Sequence, residues 1–178
     1  MTTYFLRTTR LGFREWTDAD LPLALALWQD PDVTRLIGGA FTEEAVRARL
    51  AREQANLRER RMQYWPVFQL ADGAHVGACG LKPYPDDPDV IETGFHLHRA
   101  HWGTGYATEA SRAVIAYAFD VLGAARVFAG HHPDNAASQR VLDKLGFAYA
   151  YDEYFPPTDL VHRGYLLTPE RFRAAAGG

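Results

Sequence analysis

Gly103 and Gly105, in HWGTGYATEA, open a long stretch of helical periodicity, and they are the first residues in this sequence that could anchor chemistry. The first turn of a helix carries unpaired amide donors at the positive end of its dipole, and glycines let the preceding backbone approach an anion closely. The segment therefore reads as a phosphate-binding turn that needs no side-chain charge. An isolated G-x-G also serves simply to turn a strand into a helix packed on a sheet, so its surroundings must decide. A dinucleotide fingerprint would place a third glycine at Thr108, and a Walker loop would need Gly-Lys-Ser or Gly-Lys-Thr. Neither is present, and the turn follows several strands rather than the first strand of a βαβ unit. A nicotinamide-dependent oxidoreductase is disfavoured on both grounds.

Other side chains invite chemistry less strongly. His96 and His98 lie two apart on a strand-like segment and share a face, His101 follows, and His131 and His132 adjoin a turn. They lack a supporting cysteine or carboxylate motif, so the reading is no metal, with the histidines free to act as hydrogen-bond donors. The arginines at 47, 49, 52, 58, 60 and 61 are interleaved with glutamates at 43, 44, 53 and 59, which is a solvated helix face rather than a nucleic-acid surface. Cys79, the single cysteine, sits in the apolar run VGACGL as a core residue and excludes an intrachain disulfide. A net charge of −3 gives no general attraction to nucleic acid or anionic membrane. No apolar run is long enough to span a bilayer, and nothing signals export, so the expected location is cytoplasmic. With 47% hydrophobic and 23% charged residues over 178 positions, the composition suits one folded domain over residues 1–178.

The elements that must position these residues follow from periodicity. Leu11 and Phe13 alternate as a short strand, and a helix capped at Thr17 or Asp18 runs from about Ala19 to Gln29, ending near Asp30-Pro31. A second helix begins at Thr42 and reaches about Arg60. YWPVFQL and HVGACGLKPY flank Ala71-Asp72-Gly73 as an antiparallel hairpin, with Pro66 marking an edge or a strand start. After a turn at PDDPD comes the strand VIETGFHLH, then the helix from about Gly105 to a stop at Gly123. The strand ARVFAG, a helix from about Asn135 to Leu145, and two strands around FAYAYDEY and VHRGYLLT complete the chain. Strands and helices mix without strict alternation, so the fold class is mixed α/β, a sheet covered by helices.

Several separated segments together resemble the GNAT superfamily of acyl-CoA N-acyltransferases, and within it the branch of ribosomal-protein-alanine N-acetyltransferases. They are TTRLGFREWTDAD, WQDPDVTRLIGG, HWGTGYATEA and PDNAASQRVLDKLGF, and the resemblance extends to about Phe172. It implies a three-layer fold with a splayed, mostly antiparallel central sheet. It also implies a pyrophosphate loop of Trp102, Gly103, Thr104, Gly105, Tyr106 and Ala107, with Trp102 where most of the superfamily has glutamine or arginine. By the same resemblance, Phe95 and Leu97 lend backbone groups to the pantetheine arm of acetyl-CoA, and Asn135 touches it from the other side. Many members carry a tyrosine seven residues after this asparagine to protonate the departing thiolate; here that residue is Leu142. Ser138, on the same helical face as Asn135, is the substitute, alongside a reading as a helix-start serine or protonation by water.

An alkyl amine, with a pKa near 10.4, is almost wholly protonated at neutral pH, so the transfer needs a proton acceptor. Glu92 is the candidate base, acting directly or through water, because the resembling branch has a glutamate two residues before the glycine equivalent to Gly94; its bland counterpart is a salt-bridged strand carboxylate. The expectation is an acetyl-CoA-dependent N-acetyltransferase, without a metal, acting on a small-molecule amine or a protein N-terminus. It has no nucleic-acid or membrane partner and is a monomer or homodimer. The alternative is a noncatalytic acyl-CoA-binding or sensing module.

Overall fold

The computed structural model describes residues 3–85 and 87–177. In chain order the elements are β1 (Leu6–Arg7), β2 (Leu11–Phe13), α1 (Leu21–Trp28), α2 (Pro31–Thr34), α3 (Glu43–Arg60), β3 (Tyr64–Gln69), β4 (His75–Pro83) and β5 (Val90–Leu97). There follow α4 (Tyr106–Asp120), β6 (Arg126–His131), α5 (Ala136–Leu145), β7 (Ala148–Phe155), β8 (Leu160–Leu167) and α6 (Pro169–Ala176). The strands form one sheet in the order β1-β2-β3-β4-β5-β6-β8-β7. Every pairing is antiparallel except β5 with β6, and that exception makes the cleft. The parallel pair holds only from Val90↔Arg126 to Glu92↔Phe128. Beyond Glu92, β5 continues to Leu97 along β4, and β6 continues to His131 along β8, so the sheet splits between them.

Local chemistry accounts for most element boundaries. Thr42 caps α3 by accepting from the Ala45 amide at 3.2 Å, with Glu43 and Glu44 in the positive first turn and Arg58 and Arg60 in the last. Gly146 ends α5 in the left-handed region at φ 89°. The first helix starts later than expected, at Leu21, because Thr17 and Asp20 close a capping box around a single 3-10 turn at Asp18–Asp20. Pro31 does not merely stop that helix. It is the first residue of α2, where Asp30 accepts from the Asp32 amide.

Pro66 sits inside β3 and inside the sheet, not at a strand start. It is tolerated because the regular β2 pairing stops at Phe13↔Val67: the Arg14 amide still donates to the Pro66 carbonyl at 3.4 Å, and the return bond that proline cannot donate falls just past the end of the ladder. The two-residue β1 and the helices α2 and α6 were not expected from periodicity. Asp86, within the turn expected at PDDPD, lies outside the described residues.

Two apolar clusters cover the two faces of the sheet. On one, Trp65, Cys79, Leu81, Ile91 and Leu97 pack against Ala110, Val114, Ile115 and Ala118 of α4. On the other, Tyr64 and Ala78 meet Trp16, Ala24, Leu27 and Trp28 with Val46 and Leu50 of α3. Trp28 and Trp65 are among the largest fully buried side chains, and burial of a large apolar side chain stabilises by about 1.5–3 kcal/mol. None of the described helices is long and apolar enough to cross a membrane.

Candidate active site

The glycine turn sits at the start of α4 in a conformation that calls for glycine. Gly103 and Gly105 have φ of 75° and 84°, which L side chains rarely adopt. A Cβ at Gly103 would meet nothing within 4 Å, so glycine is required there by backbone conformation rather than by space. The loop is braced from behind. The Trp102 indole donates to the Leu97 carbonyl at 2.9 Å, the Thr104 hydroxyl donates to the His101 carbonyl at 2.7 Å, and the Tyr106 hydroxyl donates to Gln69 at 2.6 Å.

A second brace comes from the β1–β2 turn and had no signal in the sequence. The Arg10 guanidinium donates to the Thr104 carbonyl at 3.1 Å, lies 4.5 Å from the centre of the Tyr106 ring, and pairs with Glu109 at 2.6 Å. Glu109, in the first turn of α4, also accepts from the Thr8 hydroxyl at 2.6 Å and the Arg10 amide at 3.0 Å. Burial pushes the Glu109 carboxyl up, but the hydrogen bonds from Thr8 and Arg10 outweigh it and hold the group below its ordinary range. Arg10 and Glu109 are 99 residues apart, so only folding brings them together.

The split between β5 and β6 opens a cavity of about 890 Å³. Its wall includes Glu92, Phe95, Leu97, Trp102, Gly103, Gly105, Tyr106, Ala107, Asn135 and Ser138. Thr104 is not on that wall, since its polar groups are turned to Arg10 and His101. Asn135 is the cap of α5, its Oδ1 accepting the Ser138 amide at 3.0 Å. The Ser138 hydroxyl makes no hydrogen bond among the described residues. Leu142, which stands where a family tyrosine would, is 4% exposed and belongs to the core. Arg140 and Lys144 of α5 also line the cavity, on cationic side chains suited to phosphate.

Glu92 projects from the last paired position of β5 and forms an ion pair with Lys82 Nζ at 3.0 Å. Burial raises its pKa, the Lys82 charge opposes that, and the nearby Glu153 adds to it. Two residues on, Gly94 leaves room for Tyr64, whose hydroxyl occupies the place a Cβ would take. Tyr64 escaped sequence reasoning because it reads as an ordinary strand aromatic; burial pushes its hydroxyl well above the usual tyrosine range.

Of the candidate histidines, His96, His101, His131 and His132 line the cavity and His98 does not. His96 is partly buried, stacks on Tyr64 and accepts from the Trp28 indole at 3.2 Å, and desolvation holds its pKa well below the ordinary value. His98 and His75 share a hydrogen bond at 3.2 Å, and burial brings His75 down to about 4. Among the described residues, no three His, Cys, Asp or Glu side chains converge as metal ligands.

Residues 10–148 match the family model described as Acetyltransferase (GNAT) domain. The chain is 32% identical over 147 residues to "Uncharacterized protein YkkB" of Bacillus subtilis (strain 168), spanning 82% of this chain and 86% of that one. It is 31% identical over 144 residues to "Uncharacterized N-acetyltransferase YoaA" of the same organism, spanning 80% and 81% respectively. In fold it is similar to the acetyltransferase (GNAT family) from Bacillus anthracis, with a TM-score of 0.78 over 93% of this chain and 98% of that one at 24% identity. A glycine turn at a helix start, a sheet that splits beside it and a family match over most of the length agree: the chain belongs to the GNAT acetyltransferase family.

Proposed function

We propose that this acetyltransferase uses acetyl-CoA to acetylate a primary amine, of a small molecule or a protein N-terminus, by direct transfer within the cleft between β5 and β6. The observation that carries the reading is the separation of β5 from β6 immediately after Glu92, with the glycine turn opening on the same cavity. The residues present fit acetyl-CoA. The open space at Gly103 and the start of α4, whose cap Gly105 offers no side-chain acceptor, suit a pyrophosphate, and the edge of β5 left without a strand partner suits an extended amide arm.

Acetyl-CoA, when bound, supplies a thioester carbonyl open to attack by a neutral amine. The backbone of Trp102 to Ala107 holds the pyrophosphate, and Arg10 with Glu109 keeps that backbone in place. Phe95 offers its backbone to the pantetheine arm and an amide to the developing oxyanion, while Leu97, whose carbonyl holds the Trp102 indole, sets the end of that edge. Asn135 closes the arm from α5. Glu92 accepts the amine proton directly or through water, and its raised pKa makes it the stronger base while Lys82 favours the ionised form. Ser138 or water returns a proton to the leaving thiolate. Most of the rate gain comes from holding two substrates in register, because amines and thioesters need little further activation.

The test is thiol release from acetyl-CoA over a panel of short peptides with free alanine or serine N-termini, polyamines and aminoglycosides, with a no-amine control. Amine-dependent release is expected. Tight acetyl-CoA binding with no amine-dependent release from any primary amine would overturn the reading.

A further inference from the structure

Arg49 is a largely buried cation that makes no hydrogen bond among the described residues. It lies on α3, its side chain is 14% exposed, and its guanidinium carbon sits 4.3 Å from the centre of the Trp28 ring, with Tyr64 and Phe41 at 5.4 and 5.9 Å. The nearest carboxylate, Glu53, is 3.6 Å from Nε, too long for a hydrogen bond, and Glu53 already accepts the Tyr64 amide at 2.7 Å. Nε is fully buried with no hydrogen-bond partner, whereas the terminal Nη atoms, which are not among the fully buried unpartnered groups, remain accessible from the cavity that Arg49 lines. A guanidinium carries five donors and stays charged at neutral pH, so one held by aromatic faces and by an ion pair with Glu53 that lacks hydrogen-bond geometry keeps its terminal donors free for an anion in the cavity.

Its place in the fold says which anion. Arg49 lines the same cavity as Glu92 and Gly94. It stands against Tyr64, which pairs in register with Gly80, and Gly80 pairs with Gly94. Lys82 and Glu92 follow on that same face, so Arg49 and Glu92 share the α3 side of the sheet, and α4 covers the other. The phosphate turn belongs to α4, which leaves Arg49 for the acceptor rather than for the pyrophosphate. Lys82 is neutralised by Glu92, and Glu153 adds a second carboxylate to the wall. One end of the acceptor space thus suits a cation and the other an anion.

We propose that the acceptor is a small amine that also carries a carboxylate, an amino acid, with the carboxylate gripped by the Arg49 guanidinium and the amine turned toward Glu92. This rests on the transferase reading above and narrows its substrate. The ammonium first gives one proton to Glu92; the neutral amine nitrogen then bonds to the acetyl carbon as the carbon–sulfur bond breaks, and the second proton shed by nitrogen passes through Ser138 or water to the departing thiolate. A planar fork matched to a planar carboxylate gives charge-assisted, bidentate hydrogen bonds.

The experiment compares thiol release with free α- and ω-amino acids against their matching primary carboxamides, in wild type, Arg49→Gln and Arg49→Lys. The amides have the more readily deprotonated amine, since they lack the neighbouring negative charge, so a preference for the acid cannot arise from amine basicity. Expected is a preference for at least one acid over its amide of about 100-fold in kcat/KM, abolished in Arg49→Gln and partly kept in Arg49→Lys. If Arg49→Gln fails to fold, the wild-type ratio decides alone. Equal use of acids and amides, a preference unchanged in Arg49→Gln, or turnover of peptides or polyamines but no amino acid would each overturn this inference and leave the transferase reading standing. Failure to bind acetyl-CoA would overturn that reading and this inference with it.

Discussion

Replacing Glu92 by glutamine removes the proposed proton acceptor while nearly conserving shape. For an alkyl amine with a pKa near 10.4, reaching the neutral form at pH 7 costs about 4.6 kcal/mol; for an α-amine near 7.7–8.0 the cost is about 1–1.4 kcal/mol. A positioned base typically contributes about 10²–10⁴-fold, so it can recover most of the first cost and all of the second. Glu92→Gln is therefore expected to lower kcat/KM at pH 7 by about 10²–10³-fold with an alkyl amine and about tenfold with an α-amine. The loss should shrink as pH approaches the amine's own pKa, where the base has nothing left to remove. The fold should survive, because Lys82 is 42% exposed and can be hydrated, and such a pair is worth about 1 kcal/mol or less. Initial rates from pH 6 to 10, with acetyl-CoA affinity by calorimetry, make the assay. Unchanged activity at pH 7 would remove Glu92 from the mechanism, and a loss that stays constant to pH 10 would make it a substrate-binding charge rather than a base.

Gly105→Ala should weaken acetyl-CoA binding by about 5- to 30-fold, the equivalent of about 1–2 kcal/mol for holding an L residue at φ 84°, because the nearest atom to its Cβ, on Arg10 at 3.5 Å, leaves space. Gly105→Glu adds repulsion toward the pyrophosphate and should abolish binding; calorimetry showing wild-type affinity would refute the site. Glu109→Ala strips the loop's brace from Thr8 and Arg10 and should raise the KM for acetyl-CoA about tenfold with kcat little changed, and an equal fall in kcat would speak against a purely positioning role. Stability should fall in mild acid. His75 is held to about 4 by burial and by the neighbouring His98, so the unfolded chain binds its proton first. Its contribution is complete above pH 6.5 and is lost as pH drops toward 4, on the order of 3 kcal/mol in all. Urea midpoints at pH 7 and pH 5 for wild type and His75→Gln measure this, and identical pH slopes would refute it.

The sequence by itself determined what depends on neighbours along the chain. The caps at Thr42, Asn135 and Gly146, the glycine turn before α4 and the alternation of β3 to β5 are local chemistry, and they suffice to place the phosphate turn and Glu92 on their elements. The signature for α6 was also present, in Thr168 capping and Pro169 at its first position, although Phe172 is the one large apolar side chain in this short helix. Tertiary structure alone decided the rest. Where β5 and β6 part is a matter of pairing between segments about 36 residues apart in register, and no periodicity encodes it. Pro66 is acceptable inside a sheet only because β2 ends beside it. Arg10 and Glu109 meet across the chain, and Arg49, which in sequence is one of six arginines on an apparently solvated helix, becomes a buried donor because Trp28, Phe41 and Tyr64 close around it. Capping and alternation are short-range preferences written in a few residues, whereas desolvation and partner choice belong to the packed molecule, where each group's surroundings come from distant parts of the chain.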